Sequence, residues 1–366
     1  MKKASGYERG LLVRRKNDRE RCVQMARRGG NRLVYQTEQA LKEIQQFDRS
    51  KREARAMGEK RIHSVATMEK ALSVSQNFVK WAKDQGVKDL YQLKRAHYKN
   101  YIEQKQSEGV STGHLINIET NLRLLGEGMK QISAAKGNQE RVWIPKQRVI
   151  KVAEREKPVD RSLKEDRLHE VKERLSENGK EAALLQEAFG LRVRELANST
   201  THYIQERDGR LYWVADSTKG ALNASQGVTK AGRSRIAMCN PLKAPEVRQM
   251  LQKRSPGDYL TKIKYNSIRS AYKRAGVEGT HTFRHNYARE MMRQGLENRG
   301  FDADRARDML KAYREIKDSG NNSRKMQELK QHKGFKELKI CMDEVHGYLG
   351  HGTDRMDLAH VYLEGF

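Results

Sequence analysis

His281-Thr282-Phe283-Arg284-His285-Asn286-Tyr287-Ala288 opens a segment, 281–296, whose spacing predicts a helix rich in groups that handle protons and phosphates. A His-x-x-Arg pair alone is common in helices. Extended by His285 and Ala288 to His-x-x-Arg-His-x-x-Ala, the string becomes far more specific. It puts an imidazole and a guanidinium on one face, one turn apart.

Three further segments in the second half of the chain pair with it. Upstream lies Gly190-Leu191-Arg192-Val193-Arg194-Glu195-Leu196, then Thr229-Lys230-Ala231-Gly232-Arg233-Ser234-Arg235. Downstream are Leu349-Gly350-His351 and Tyr362. Transesterification at a phosphodiester needs what these segments carry. Charge that builds on the non-bridging oxygens is met best by arginine, whose planar fork donates two parallel hydrogen bonds and stays charged. A tyrosine hydroxyl can hold the phosphodiester as a covalent intermediate. With an ordinary pKa near 10, it needs a neighbouring base or cations. The leaving deoxyribose hydroxyl needs a proton from a Lys or His. Protein cations then supply the stabilisation a metal would otherwise give, so neither metal nor nucleotide cofactor is expected.

This arrangement resembles the tyrosine recombinase (phage-type integrase) family, whose site residues run Arg, hairpin Lys, His-x-x-Arg, His or Trp, and Tyr. Arg192, Lys230, His281 with Arg284, His351 and Tyr362 follow that order. The resemblance covers about 165–366, and more weakly 63–137, which is similar to a helical core-binding domain. It implies that Arg192 and Arg284 hold the scissile phosphate and Lys230 protonates the leaving 5′-hydroxyl. His281 and His351 would assist proton transfer and bind phosphate, and Tyr362 would form a 3′-phosphotyrosyl bond. Lys219, in Ser-Thr-Lys-Gly, competes with Lys230; the apolar Ile236-Ala237-Met238 after the basic run favours Lys230. His360 competes with His351, where Leu-Gly-His favours the latter. The resemblance further implies a site-specific recombinase of a mobile element acting on double-stranded DNA. Such a protein would be a monomer or dimer when free and a homotetramer on DNA working through a Holliday junction, served by accessory bending or directionality proteins. Its setting would be cytoplasmic, at the nucleoid when bound. A type IB topoisomerase-like nicking-closing enzyme shares the chemistry, and a DNA-binding regulator with a decayed site shares the architecture.

The rest of the chain fits a polyanion partner. Its 366 residues carry 74 Lys and Arg against 47 Asp and Glu, a net charge of +27. Lysines and arginines that neutralise phosphates release condensed counterions and gain free energy. Ribosomal proteins and membrane-surface proteins share that sign, and a basic RNA-binding protein is a further alternative. Cys22, Cys239 and Cys341 lie far apart, with neither disulfide nor zinc spacing. No run of about 18 apolar residues exists to span a membrane. The basic start, Met1-Lys2-Lys3, lacks the apolar stretch of a signal peptide and reads as part of the protein.

The expected fold is mainly α with a small β-sheet: an all-α core-binding domain and a mixed α+β catalytic domain. Residues 1–62, with about +10 net charge, read as a basic arm, either a solvated tail or a segment laid along DNA. Residues 63–137 read as helical: Met68, Leu72, Phe78, Val79 and Trp81 recur at helical spacing, a second helix runs from Leu90 through Ile102, and Ser111-Thr112-Gly113 opens a third. Residues 138–164, with Pro145 and Pro158, read as an extended linker. In the catalytic domain, 165–366, strands are expected at 211–216 and 235–240, and helices at 264–276, 281–296, 302–317 and 335–349. Between Arg284 and His351 lie 66 residues, so about 300–335 reads as a charged, helical surface insertion. Tyr362 follows His351 by eleven positions, and only Leu363-Glu364-Gly365-Phe366 come after it. So short a tail leaves inter-subunit packing to the insertion or the N-terminal arm.

Overall fold

The computed structural model describes residues 32–47, 49, 51–139, 142–151, 161–320, 323–356 and 358–359. It divides into two compact units, Met1–Lys157 and Pro158–Phe366. Its secondary structure is mainly helical with one small antiparallel sheet, as the sequence predicts.

The first unit is all-helical among its described residues. Helices α1 (Arg32–Glu43), α3 (Val65–Asp84), α4 (Arg95–Ser107) and α5 (Thr112–Ala135) enclose one core, while the short α2 (Lys51–Ala56) follows α1 in the chain. Ser64 caps α3 by accepting from the Thr67 N–H, and Ser111 caps α5 by accepting from the His114 N–H. Leu41, Phe78, Val79, Ile102, Leu122 and Leu125 are fully buried. Phe78 stacks on Trp143 at 5.4 Å and meets the edge of Tyr101 at 5.2 Å. At Gly128 a Cβ would lie 1.8 Å from the Ala40 carbonyl oxygen, so α1 and α5 can approach this closely only over a glycine.

Two expectations are corrected here. The basic arm is not an arm throughout: Arg32–Glu43 is a helix that buries Leu33, Ala40 and Leu41 in this core, with Ile44 buried just beyond it. Nor is the linker segment wholly a linker, since Trp143 and Ile150 are buried in the same core. A few apolar side chains among many charges decided both segments, and composition averaged over the segment concealed them. The earlier part of the arm lies outside the described residues.

The second unit begins with α6 (Glu165–Glu173), α7 (Glu177–Phe189) and α8 (Val193–Asn198). Strands β1 (Ile204–Arg207), β2 (Arg210–Ala215) and β3 (Arg235–Met238) form a sheet in the order β1-β2-β3. Ile204 pairs with Trp213, and Ala215 with Arg235. Strand β1 was not anticipated. Its signal is the Asp208-Gly209 turn, where both residues adopt positive φ, 49° and 71°, as a tight hairpin requires. After α9 (Ala244–Gln252) and α10 (Tyr265–Arg274) comes α11 (Thr282–Glu297), the helix quoted first. The anticipated insertion is helical, as α12 (Ala303–Asp318) and α13 (Ser323–Gln331), before α14 (Lys333–Tyr348). It is not wholly a surface feature, because Ala306 and Leu310 are buried in one cluster with Met292, Leu338 and Met342 of α11 and α14. No helix among the described residues is long and apolar enough to cross a membrane.

Candidate active site

The Gly190-Leu191-Arg192 turn organises the centre of the second unit. Gly190 ends α7 in the left-handed conformation, φ 58°, and a Cβ there would meet the Tyr287 ring at 2.5 Å. Buried Gln186 donates to the Leu191 carbonyl at 2.7 Å and accepts from the Tyr272 hydroxyl at 2.8 Å, fixing the exit path. Arg192 is therefore delivered to the start of α8. Three residues on, Glu195 reaches back to accept from the Arg192 N–H at 2.8 Å, and from its guanidinium at 2.7 Å.

Arg284 arrives from the first turn of α11 and is fully buried. Its guanidinium donates to the Gly190 carbonyl, to the Leu349 carbonyl at 2.6 Å, and lies 3.2 Å from His351 Nε2. Arg192 Nη2 also approaches the Leu349 carbonyl, at 3.5 Å. The turn after α14 thus supplies His351 and the backbone oxygen that gathers both arginines.

Two residues to which the sequence reading gave no role complete the cluster. The Glu195 carboxylate is buried, with Arg192 on one oxygen, Arg235 hydrogen-bonded to the other, and Arg284 at 4.0 Å. Burial alone would raise its pKa, but the Arg235, Arg284 and Arg192 guanidinium groups outweigh this and hold it at about 2. Arg235, from β3, also donates to the carbonyls of Tyr348 at 2.7 Å, Gly190 at 3.0 Å and Phe189 at 3.3 Å, and lies over the Trp213 ring at 5.3 Å. The spacing of Arg192 and Glu195, one helical turn apart, was the signal for the acid. Arg235 gave none, because its strand position shows only once the sheet is assembled.

Both histidines are held neutral. Burial pushes His351 down to about 2, assisted by the positive fields of Arg284, Arg192, His346 and Arg235. His281, at the N-terminal end of α11, is lowered to about 4 by burial and by Arg284, His285, Arg192 and Arg161.

Arg192, Lys230 and His351 line one pocket of about 880 Å³, together with Glu195, Arg233, Arg235 and Arg355. Lys230 is exposed, on a short 3-10 turn, Lys230–Gly232, within the β2–β3 connection. That turn is tied down by Ser225 donating to the Gly232 carbonyl at 2.7 Å, and by Thr229 donating to the Arg233 carbonyl at 2.6 Å. Lys219, the competitor, is exposed and does not line the pocket. Arg284 lies behind the pocket wall and reaches it through His351. Tyr362 and His360 lie outside the described residues.

No protein-family model matches the chain, and no curated protein matches it in sequence. Among solved structures it is similar to a XerH site-specific recombinase bound to palindromic difH substrate in a post-cleavage complex. There the identity is 13%, covering 82% of this chain and 76% of that one, with a TM-score of 0.48. It is also similar to a lambda integrase dimer bound to a COC′ core site, at 15% identity, covering 80% and 93%, with a TM-score of 0.43. A third is the Tn1549 transposon integrase in complex with transposon right-end DNA, at 13% identity, covering 84% and 98%, with a TM-score of 0.43.

Proposed function

We propose that the chain is a tyrosine-type DNA strand transferase, a site-specific recombinase or integrase of a mobile element. The observation that carries this reading is the surplus of positive charge at one pocket. Arg192, Arg235 and Arg284 surround the Glu195 carboxylate, and the pocket is lined by Arg192, Lys230, Arg233, Arg235, Arg355 and neutral His351 against the carboxylates of Glu195 and Glu344. Cations gathered in excess of carboxylates at a pocket favour an anionic ligand there, and a phosphodiester is such an anion.

In this reading a non-bridging oxygen of the phosphate meets Arg192 in the pocket, with the charge of Arg284 behind it. Tyr362 Oη attacks phosphorus, its proton passing to a neutral imidazole, His351 or His281. The tyrosyl–phosphorus bond forms at the 3′ side as the bond to O5′ breaks, and Lys230 gives O5′ its proton. The incoming phosphate offsets the arginine field that adds to burial in holding the imidazoles down, so they become better bases once DNA is bound. Attack by a 5′-hydroxyl of a second duplex reverses the step and joins new partners. Repeated by four protomers on two duplexes, it exchanges strands through a Holliday junction.

The test is a suicide substrate. A pool of nicked duplexes of randomised sequence should yield protein covalently joined to DNA, resistant to denaturant. Tyr362→Phe should bind duplex with little change and give no adduct. Absence of adduct from the unsubstituted chain under conditions of tight binding points to a DNA-binding regulator instead. Relaxation of supercoiled DNA without two-site recombination points to a nicking-closing enzyme.

A further inference from the structure

Arg235 lines the pocket, yet every nitrogen of its fork is committed. Nε donates to the Tyr348 carbonyl, Nη1 to Glu195, and Nη2 to the carbonyls of Gly190 and Phe189. Its side chain is only 3% exposed. It therefore has little left to offer a ligand, whereas the Arg192 side chain is 25% exposed and faces the same pocket. The division of labour on Glu195 matters. Oε1 takes the Arg192 guanidinium, Oε2 takes Arg235 and the Arg192 N–H, and Arg284 is kept at 4.0 Å from Oε2.

We propose that Arg235 is a positioning residue of this site: by occupying Glu195 Oε2 it keeps that carboxylate from drawing in Arg284, so that the Arg192 and Arg284 charges act on an oxyanion in the pocket. Without Arg235 the carboxylate loses one of its cations, and Coulomb attraction across a buried 4.0 Å gap pulls Arg284 from the Leu349 carbonyl and His351 toward Glu195. One acid would then serve two arginines, Arg192 and Arg284, and their field on an anion in the pocket would weaken. The inference takes from the strand-transfer reading only the nature of the ligand, an oxyanion. It places Arg235 one step from the chemistry, acting through Glu195.

The test uses the full chain and inorganic sulfate, with binding followed at the Arg192 side-chain N–H resonance, alongside adduct formation on the nicked duplexes. Arg235→Met should weaken sulfate binding about tenfold and slow adduct formation on the order of a hundredfold, the usual loss when one oxyanion donor is misplaced, while duplex affinity barely moves. Adding Glu195→Gln to Arg235→Met should recover most of both losses, because the carboxylate that captured Arg284 is gone. Arg235→Lys, which keeps the charge but loses the carbonyl contacts, should stay within about threefold of the unsubstituted chain in sulfate affinity. If Arg235→Met does not fold, the Arg235→Lys comparison decides. A double variant as poor as Arg235→Met, or an Arg235→Lys variant with a tenfold loss, makes Arg235 a scaffold residue and overturns the proposal. No adduct from the unsubstituted chain with the sulfate series as expected refutes strand transfer and leaves the role of Arg235 standing. Adducts with a flat sulfate series, or with no sulfate bound at Arg192 at all, refute the role of Arg235 alone.

Discussion

Each unit buries a glutamate at its heart, and the two carboxylates are treated in opposite ways. In the helical unit, fully buried Glu119 accepts from the Tyr98 hydroxyl and from the Val149 N–H, both at 2.8 Å, with the partly exposed Arg148 at 3.6 Å. One acid faces two neutral donors on Oε1 and one cation beside Oε2, so its charge is matched: Glu119 ties α5 to α4 and to the segment around Val149. Glu195 sits among three guanidinium groups, two of them buried. Its charge cannot balance theirs. A balanced buried acid staples structure, whereas Glu195, among the described residues, is outnumbered by the cations around it.

The comparison would break most visibly at Glu195. Glu195→Ala should destabilise the second unit by about 3–5 kcal/mol, since buried arginines lose their counterion. Hydrogen exchange should show the loss across 161–320 and little change in the first unit. A change below about 1 kcal/mol would mean the arginines are neutralised by something other than Glu195.

A smaller effect follows from the neutral histidines. Their folded pKa values, about 4 for His281 and about 2 for His351, lie below the ordinary 6.5. The unfolded chain therefore takes up protons below about pH 6.5 that the folded unit refuses until lower pH, and stability falls as pH drops from 7 toward 4. Glu195 adds to the fall below about pH 5, because the unfolded carboxyl takes up a proton near its ordinary 4.5 while the folded one stays ionised down to about pH 2. The melting temperature of the second unit should fall by several degrees between pH 7 and 5, and His351→Gln should flatten that dependence. An unchanged slope in His351→Gln would show that this imidazole is not held neutral.

The smallest effect is expected at the balanced acid. Glu119→Gln keeps an acceptor for Tyr98 and Val149 and should cost about 1 kcal/mol in the first unit, with no effect on adduct formation. A loss as large as that at Glu195 would remove the distinction between the two regions.

Much of the second unit was legible in sequence, because its signals are local. The spacing of α11 and α14 is helical, β2 and β3 are short apolar runs between turn residues, and Arg192, Arg284 and His351 sit in short motifs that the fold brings together. What escaped depends on partners distant in sequence. Arg235 acquires meaning only when β3 lies beside the turns after α7 and α14, and α1 reads as basic surface until Leu33 and Leu41 meet a core. Lys230 could be preferred over Lys219 by pattern, yet only the tied turn and the pocket lining give that preference a place in space.

The most direct test is to find where DNA becomes attached. Adduct formed on nicked duplex is digested with trypsin and nuclease, and the nucleotide-bearing peptide is sequenced by mass spectrometry. The peptide after Arg355, Met356 to Phe366, contains a single tyrosine. The residual nucleotide mass should map to Tyr362. Attachment at any other residue, or a denaturant-stable complex that still forms with Tyr362→Phe, would contradict the assignment of the nucleophile.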